Sequence, residues 1–106
     1  MTLARDGLGE AGDVVVIHLE GDLDMQTEER VVAEIKAALT SAQRDVVVDL
    51  SAVPFLDSSG VRALLRGRDA AQKRGVRMSV RDPRRIVEEV LRITGVAPLF
   101  GLPDPR

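Results

Sequence analysis

The side chains best placed to do chemistry stand in one short run, Asp57-Ser58-Ser59-Gly60. Hydroxyls set between an acid and a glycine can serve as nucleophiles, as helix caps, or as acceptors of a phosphoryl group. A serine nucleophile needs a base within hydrogen-bonding reach. The one histidine, His18, lies far upstream in a separate apolar segment, where it reads as an ordinary strand residue with a local partner. Carboxylates pair in sequence at Asp22/Asp24 and Asp49/Asp57, but aromatic residues make up only 2% of the chain, and nothing else suggests a sugar-binding cleft. There is no G-x-x-x-x-G-K-[ST] or G-x-G-x-x-G run, and Gly7 and Gly9 stand in no such context. Without cysteine, and with a single histidine, a zinc site would rest mainly on carboxylates, which is unusual for zinc. The expectation is a protein that is not an enzyme and has no metal or cofactor of its own.

By itself the tetrapeptide reads first as a helix N-cap, since Asp and Ser are common at helix starts. The same position would suit a phosphate. Backbone N–H groups left open in a first helical turn favour negative charge. A phosphate on Ser58 would add roughly −1.5 to −2 charge at pH 7. Asp57, and any nearby acid from Asp22 or Asp24, would work against it. A modified serine here would change the surface without unfolding the domain.

The elements that must hold this turn alternate between strand and helix. Val14 to Leu19 is apolar and β-branched between Gly12-Asp13 and Gly21, which predicts a strand. Thr2 to Arg5 could add a short edge strand before it. Asp24 to Leu39 reads as a helix with Asp24 or Thr27 as N-cap; Val31, Ile35 and Leu39 form its apolar stripe and the acids gather early. Val46 to Leu50 predicts a second strand, buried on both faces apart from Asp49, and Pro54 stops its pairing. A second helix runs from the Asp57 turn to about Lys73 on Val61, Leu64 and Leu65, with Gly75 as its stop. Arg77 to Val80 predicts a third strand, with Met78 and Val80 on one face. Asp82-Pro83 opens a third helix, with Asp82 as N-cap, Pro83 at its first position, and Ile86, Val90 and Ile93 with Val87 and Leu91 on the buried side. Gly95 ends it, Leu99-Phe100 is expected to pair as a last edge strand, and residues 101–106 form a loose tail. This order predicts an α/β domain in which right-handed crossovers place successive helices on one face of the sheet.

Length and charge narrow the class. The chain has 106 residues, one domain's worth, and 44% are hydrophobic. No run approaches the roughly 18 apolar residues of a spanning helix. Met1 to Gly12 lacks the layout of a signal peptide, so a cytoplasmic location is expected, with no membrane partner. A net charge of −2 argues against generic nucleic-acid binding. The charge is uneven: acids crowd Glu20 to Glu34, whereas arginines and one lysine crowd Arg62 to Arg92. These could be two faces for protein partners or ordinary solvated helix faces.

The run from Val46 to Leu65, centred on Asp57-Ser58-Ser59-Gly60, resembles the central motif of the STAS domain family, in its bacterial anti-sigma-factor antagonist branch. Glu20-Gly21-Asp22-Leu23-Asp24 resembles the family's turn before the first helix. Gly75 to Val80 resembles its third core strand, and Pro83 to Phe100 its C-terminal helix and closing strand. The resemblance covers about residues 12 to 100 and implies a single STAS domain over 1–106: a small mixed sheet of four to five strands with three to four helices packed on one face. It also implies a role. An unphosphorylated antagonist binds an anti-sigma factor that is a serine kinase, and a sigma factor is released. Phosphorylation at Ser58 blocks that binding, and a PP2C-type phosphatase reverses it. The surroundings of the phosphosite would be Asp22, Asp24, Asp57, Ser59 and Gly60. ATP and Mg²⁺ would belong to the kinase, and a monomer is expected. The segment after Phe100 is too short for the final helix that many relatives carry. The alternative within the same fold is a non-catalytic scaffold subunit of a stress-signalling or lipid-transport complex; a Ser at position 58 favours the first reading.

Overall fold

A computed structural model describes residues 14–41 and 44–103. Strand β1 (Val14–Glu20) leads to helix α1 (Glu28–Ser41), β2 (Asp45–Ala52), α2 (Ser58–Lys73), β3 (Met78–Arg81), α3 (Arg85–Ile93) and a 3-10 helix, Ala97–Phe100. The strands form a parallel sheet in the order β1-β2-β3, with Val15 opposite Val46, Ile17 opposite Val48, and Val48 opposite Val80. Both crossovers step in the same direction along the sheet. Their right-handed preference therefore lays α1 and α2 side by side on one face. Ile17, Leu19, Val46, Val48, Leu50, Met78 and Val80 line that face and meet Val31, Ile35 and Leu39 of α1 and Val61, Ala63 and Leu64 of α2.

The two helices approach closely because Gly67 offers no side chain where they touch. A Cβ there would stand 2.7 Å from Ile35 Cδ1. Helix α2 then ends on Gly75, whose φ of +70° suits a residue without a Cβ. Gly75 N–H donates to the Gln72 carbonyl and Val76 N–H to that of Ala71, the paired bonds of a Schellman stop.

Several expectations change. The described sheet has three strands and is wholly parallel, not a mixed sheet of four to five. The segment Thr2–Arg5 lies outside the described residues. Leu99-Phe100 does not pair as a strand. It lies in the 3-10 helix, which carries Pro98 in its first turn and ends at the left-handed Gly101, and Phe100 plugs the core fully buried. The first helix begins at Glu28; residues 24–27 make a separate turn before it. Asp82 is not the cap of α3. It adopts φ +52°, turning the chain away from β3, and extended Arg84 precedes the helix without a side-chain cap. Ile86 and Ile93 are exposed, because this short helix buries only the narrow stripe of Val87 and Leu91. Asp49, expected to be the solvated residue of β2, is buried.

Candidate functional site

The Asp57 turn is brought into place by an extension of the sheet. After β1 shifts register between His18 and Glu20, the chain continues alongside the segment that follows β2. Gly21 N–H donates to the Ala52 carbonyl at 3.0 Å, and Leu23 N–H to that of Phe55 at 2.9 Å. In return Asp57 N–H donates to the Leu23 carbonyl at 3.2 Å. Buried Leu23 and Leu56 form an isolated parallel bridge between the two segments. Gly60 lets α2 start against this seam, since a Cβ there would lie 2.9 Å from the Cβ atoms of both Leu23 and Leu56. The acidic turn at residues 21–24 and the serine turn at residues 57–60 thus become neighbours.

Each sequence-predicted residue has a defined place. Asp57 is the N-cap of α2: its Oδ1 accepts from Ser59 N–H at 2.8 Å and Gly60 N–H at 3.2 Å. Ser58 is the first helical residue and is exposed, whereas Ser59 is buried. Asp24 Oδ1 accepts from Gln26 N–H at 3.0 Å and Thr27 N–H at 3.2 Å. Thr27 takes the cap position of α1, with its carbonyl accepting from Val31 N–H. Its hydroxyl donates to the Asp22 carbonyl at 2.9 Å and accepts from Asp24 N–H at 3.0 Å, so both candidates for this cap are used. The Asp22 side chain is exposed. Met25 and Phe55 add exposed apolar surface on the same two loops.

The other candidates for catalysis are committed elsewhere. Asp49 accepts from the Ser51 hydroxyl at 2.6 Å, Ser51 N–H at 2.9 Å and Arg81 Nε at 2.9 Å. Burial alone would raise its pKa; the Ser51 bonds and the Arg81 charge hold it below the usual aspartate value. His18 Nδ1 is 4.0 Å from the same carboxylate, opposite it on β1. Asp49 and Asp57 therefore belong to different networks. Among the described residues no cluster of three or more His, Cys, Asp or Glu could hold a metal.

One group of residues was not legible as part of the site. Buried Glu28, at the start of α1, accepts from Arg62 Nε at 2.7 Å, Arg62 Nη2 at 2.8 Å and Arg66 Nη1 at 3.1 Å. Arg66 also holds Glu29 through both terminal nitrogens. The Arg62 hydrogen bonds are the largest influence on Glu28. Against an opposing cost of burial, they and Arg66 hold its pKa down at about 2. The acidic and basic segments of the sequence meet here and neutralise each other. The available signal was the i, i+4 spacing of Arg62 and Arg66 on α2, one turn after the serines.

Residues 7–101 match the family model described as Mlab, STAS domain. Among solved structures, the anti-sigma factor antagonist SpoIIAA in its unphosphorylated form aligns with a TM-score of 0.71 at 24% identity, covering 92% of this chain and 84% of that one. The phosphorylated form of SpoIIAA, a Bacillus cell fate determinant, gives a TM-score of 0.64 at 24% identity over 92% and 87%. A sulfate transporter family protein from Wolinella succinogenes gives 0.67 at 19% identity over 83% and 71%. At these identities the structural likeness concerns the fold. The family match spans the sheet, both site loops and the closing 3-10 helix, and on that ground the chain belongs to the STAS domain family.

Proposed function

We propose that this protein is an anti-sigma-factor antagonist whose partner binding is switched by phosphorylation of Ser58. The observation that carries the reading is the asymmetry of the serine pair. Ser58 is exposed at the first position of α2, while Ser59 is buried with its N–H bonded to Asp57. A kinase can reach the first hydroxyl and not the second. The likeness to SpoIIAA, solved with and without phosphate, supports the same reading. In this role the protein is a substrate and not an enzyme. A partner that is both anti-sigma factor and serine kinase supplies ATP and Mg²⁺, and its base accepts the Ser58 hydroxyl proton as the γ-phosphoryl group is transferred. A PP2C-type phosphatase reverses the step. No helix of the described residues is long and apolar enough to cross a membrane, which fits action in the cytoplasm. The unmodified binding surface is the one formed by Asp22, Asp24, Met25, Phe55 and Ser58. A dianion on Ser58 would add negative charge where Asp22, Asp24 and Asp57 already gather, and a partner shaped for the neutral hydroxyl would be repelled.

The test is phosphorylation by the cognate kinase with ATP, followed by site mapping by mass spectrometry. Wild type and Ser59→Ala should be labelled and Ser58→Ala should not. Labelling that persists in Ser58→Ala would sink the assignment. The second reading, a non-catalytic STAS scaffold in a larger assembly, is favoured by the Mlab description of the family model and by the likeness to a transporter-family protein. It requires no modified hydroxyl, so Ser58→Ala would assemble and function as wild type does.

A further inference from the structure

Arg62 stands four residues after Ser58 on α2, and residues at this spacing share a helix face with Cβ atoms about 5–6 Å apart. Helical side chains lean toward the N-terminus, so the Arg62 stem lies over the turn that carries Ser58. Its head is already fixed: Nε and Nη2 grip the two oxygens of Glu28 at 2.7 and 2.8 Å. That grip uses one edge of the guanidinium. Nη1 has no hydrogen-bond partner among the described residues, and the side chain is 60% exposed. The charged form of Arg62 is favoured above all by its bonds to Glu28 and, more weakly, by the Asp57 carboxylate immediately before Ser58. Glu28 does not depend on Arg62 alone, because Arg66 Nη1 also reaches it at 3.1 Å.

We infer that Arg62 is the built-in receptor for the phosphoryl group on Ser58, holding phosphate on its open Nη1 edge while its Nε edge keeps Glu28. The inference rests on the reading of Ser58 as the phosphoacceptor. The planar fork of arginine suits this double use, and a lysine ammonium would not reproduce it. The groups facing such a phosphate are Asp57 on its own turn, Asp22 and Asp24 on the turn before α1, Glu28 and Glu29 on α1, and Arg62 and Arg66 on α2. Arg66 has both terminal nitrogens engaged, by Glu28 and Glu29, which leaves only its Nε, and it stands a further turn from Ser58, so Arg62 is the cation with a terminal nitrogen open at i, i+4 spacing. One guanidinium then ties the modification to the start of α1. The phosphorylated domain keeps its α1–α2 contact and presents the phosphate in one fixed position.

The test installs phosphoserine at position 58 by genetic encoding, so that no kinase is needed. Phosphorus NMR then follows the second ionisation of the phosphate in the otherwise unsubstituted protein, in Arg62→Ala and in Arg66→Ala. In the protein with Arg62 the phosphate pKa should lie below its ordinary value near 6, and Arg62→Ala should raise it by about half a pH unit or more. Arg66→Ala should leave it unchanged. An equal pKa with and without Arg62, or an equal rise in Arg66→Ala, would overturn the inference. If circular dichroism shows that Arg62→Ala does not fold, nitrogen NMR of the arginine side chains in the unsubstituted protein decides. Phosphoserine should then move the Arg62 signals and not those of Arg66, and an unmoved Arg62 refutes the bridge. A negative result here leaves the kinase mapping of Ser58 untouched, since the phosphoserine is placed without a kinase. A failure of that mapping likewise leaves the bridge measurable.

Discussion

Asp57 is held at φ −115° and ψ −165°, an extended conformation that lets its short side chain turn back onto the helix it precedes. One carboxylate oxygen then serves two N–H groups that the first turn would otherwise leave to water. This decides which serine is which. The capped turn points Ser59 inward and leaves Ser58 outside. Asp57→Ala should lower stability by about 1 kcal/mol, within the usual range for a lost N-cap, whereas Asp57→Asn should retain most of it. Urea unfolding measures both. An Ala variant as stable as wild type would show that the cap contributes nothing. Asp24 uses the same side-chain chemistry one turn before α1, where it shares the work with Thr27.

Two contacts set how α1 and α2 meet. At one, Gly67 lets Ile35 of α1 come close. At the other, Glu28 and Glu29 meet Arg62 and Arg66. The first fixes the distance between the helices, and the second fixes their alignment near the serine turn. Because the folded pKa of Glu28 is depressed, its contribution to stability is fully present above the usual glutamate value of 4.5. It is lost as pH falls from there toward about 2. Glu28→Gln should therefore flatten the acid limb of a stability–pH curve in that window. It should also lower stability at neutral pH, because two arginines lose a charged partner. Urea midpoints across the window measure this, and an acid limb as steep as wild type's would exclude Glu28 as its source. Glu29 and Asp49 are depressed as well and would supply the slope that remains.

Across the molecule, both site turns leave the same end of the sheet, and the chain after α3 returns to close the core. Phe100 is fully buried at the end of that return, where the 3-10 helix packs against β3 and α3. Phe100→Ala should cost about 3–5 kcal/mol, the range for losing a buried aromatic side chain. Thermal unfolding measures it, and a loss well under 1 kcal/mol would mean the closing segment is peripheral to the fold. The opposite end of the sheet is open, with a cavity of about 640 Å³ bordered by Arg68, Arg77 and Leu99, away from the serine turn.

The alternation of apolar runs with turn residues was enough to place β1, β2, α2 and β3, because each carries its periodicity locally. Met78 and Val80 fell on one face, and Gly75 stopped α2, for reasons contained in a few adjacent residues. The Asp57-Ser58-Ser59-Gly60 turn was likewise legible as a cap. Where the reading failed at Asp49 and Phe100, the decisive partner was distant in sequence. Asp49 is buried because Arg81 crosses from β3 to meet it. Leu99-Phe100 curls into a 3-10 turn because Phe100 fills a core site that no local pattern describes. Ile86 and Ile93 face solvent because a short helix can bury only one narrow stripe. The serine turn itself was determined by sequence. The family resemblance already set Asp22 and Asp24 beside it, but the Leu23 stitching that holds that turn in place and the Glu28–Arg62–Arg66 cluster behind it were decided by tertiary structure alone, since hydrogen bonds and ion pairs between segments depend on which segments the fold brings together.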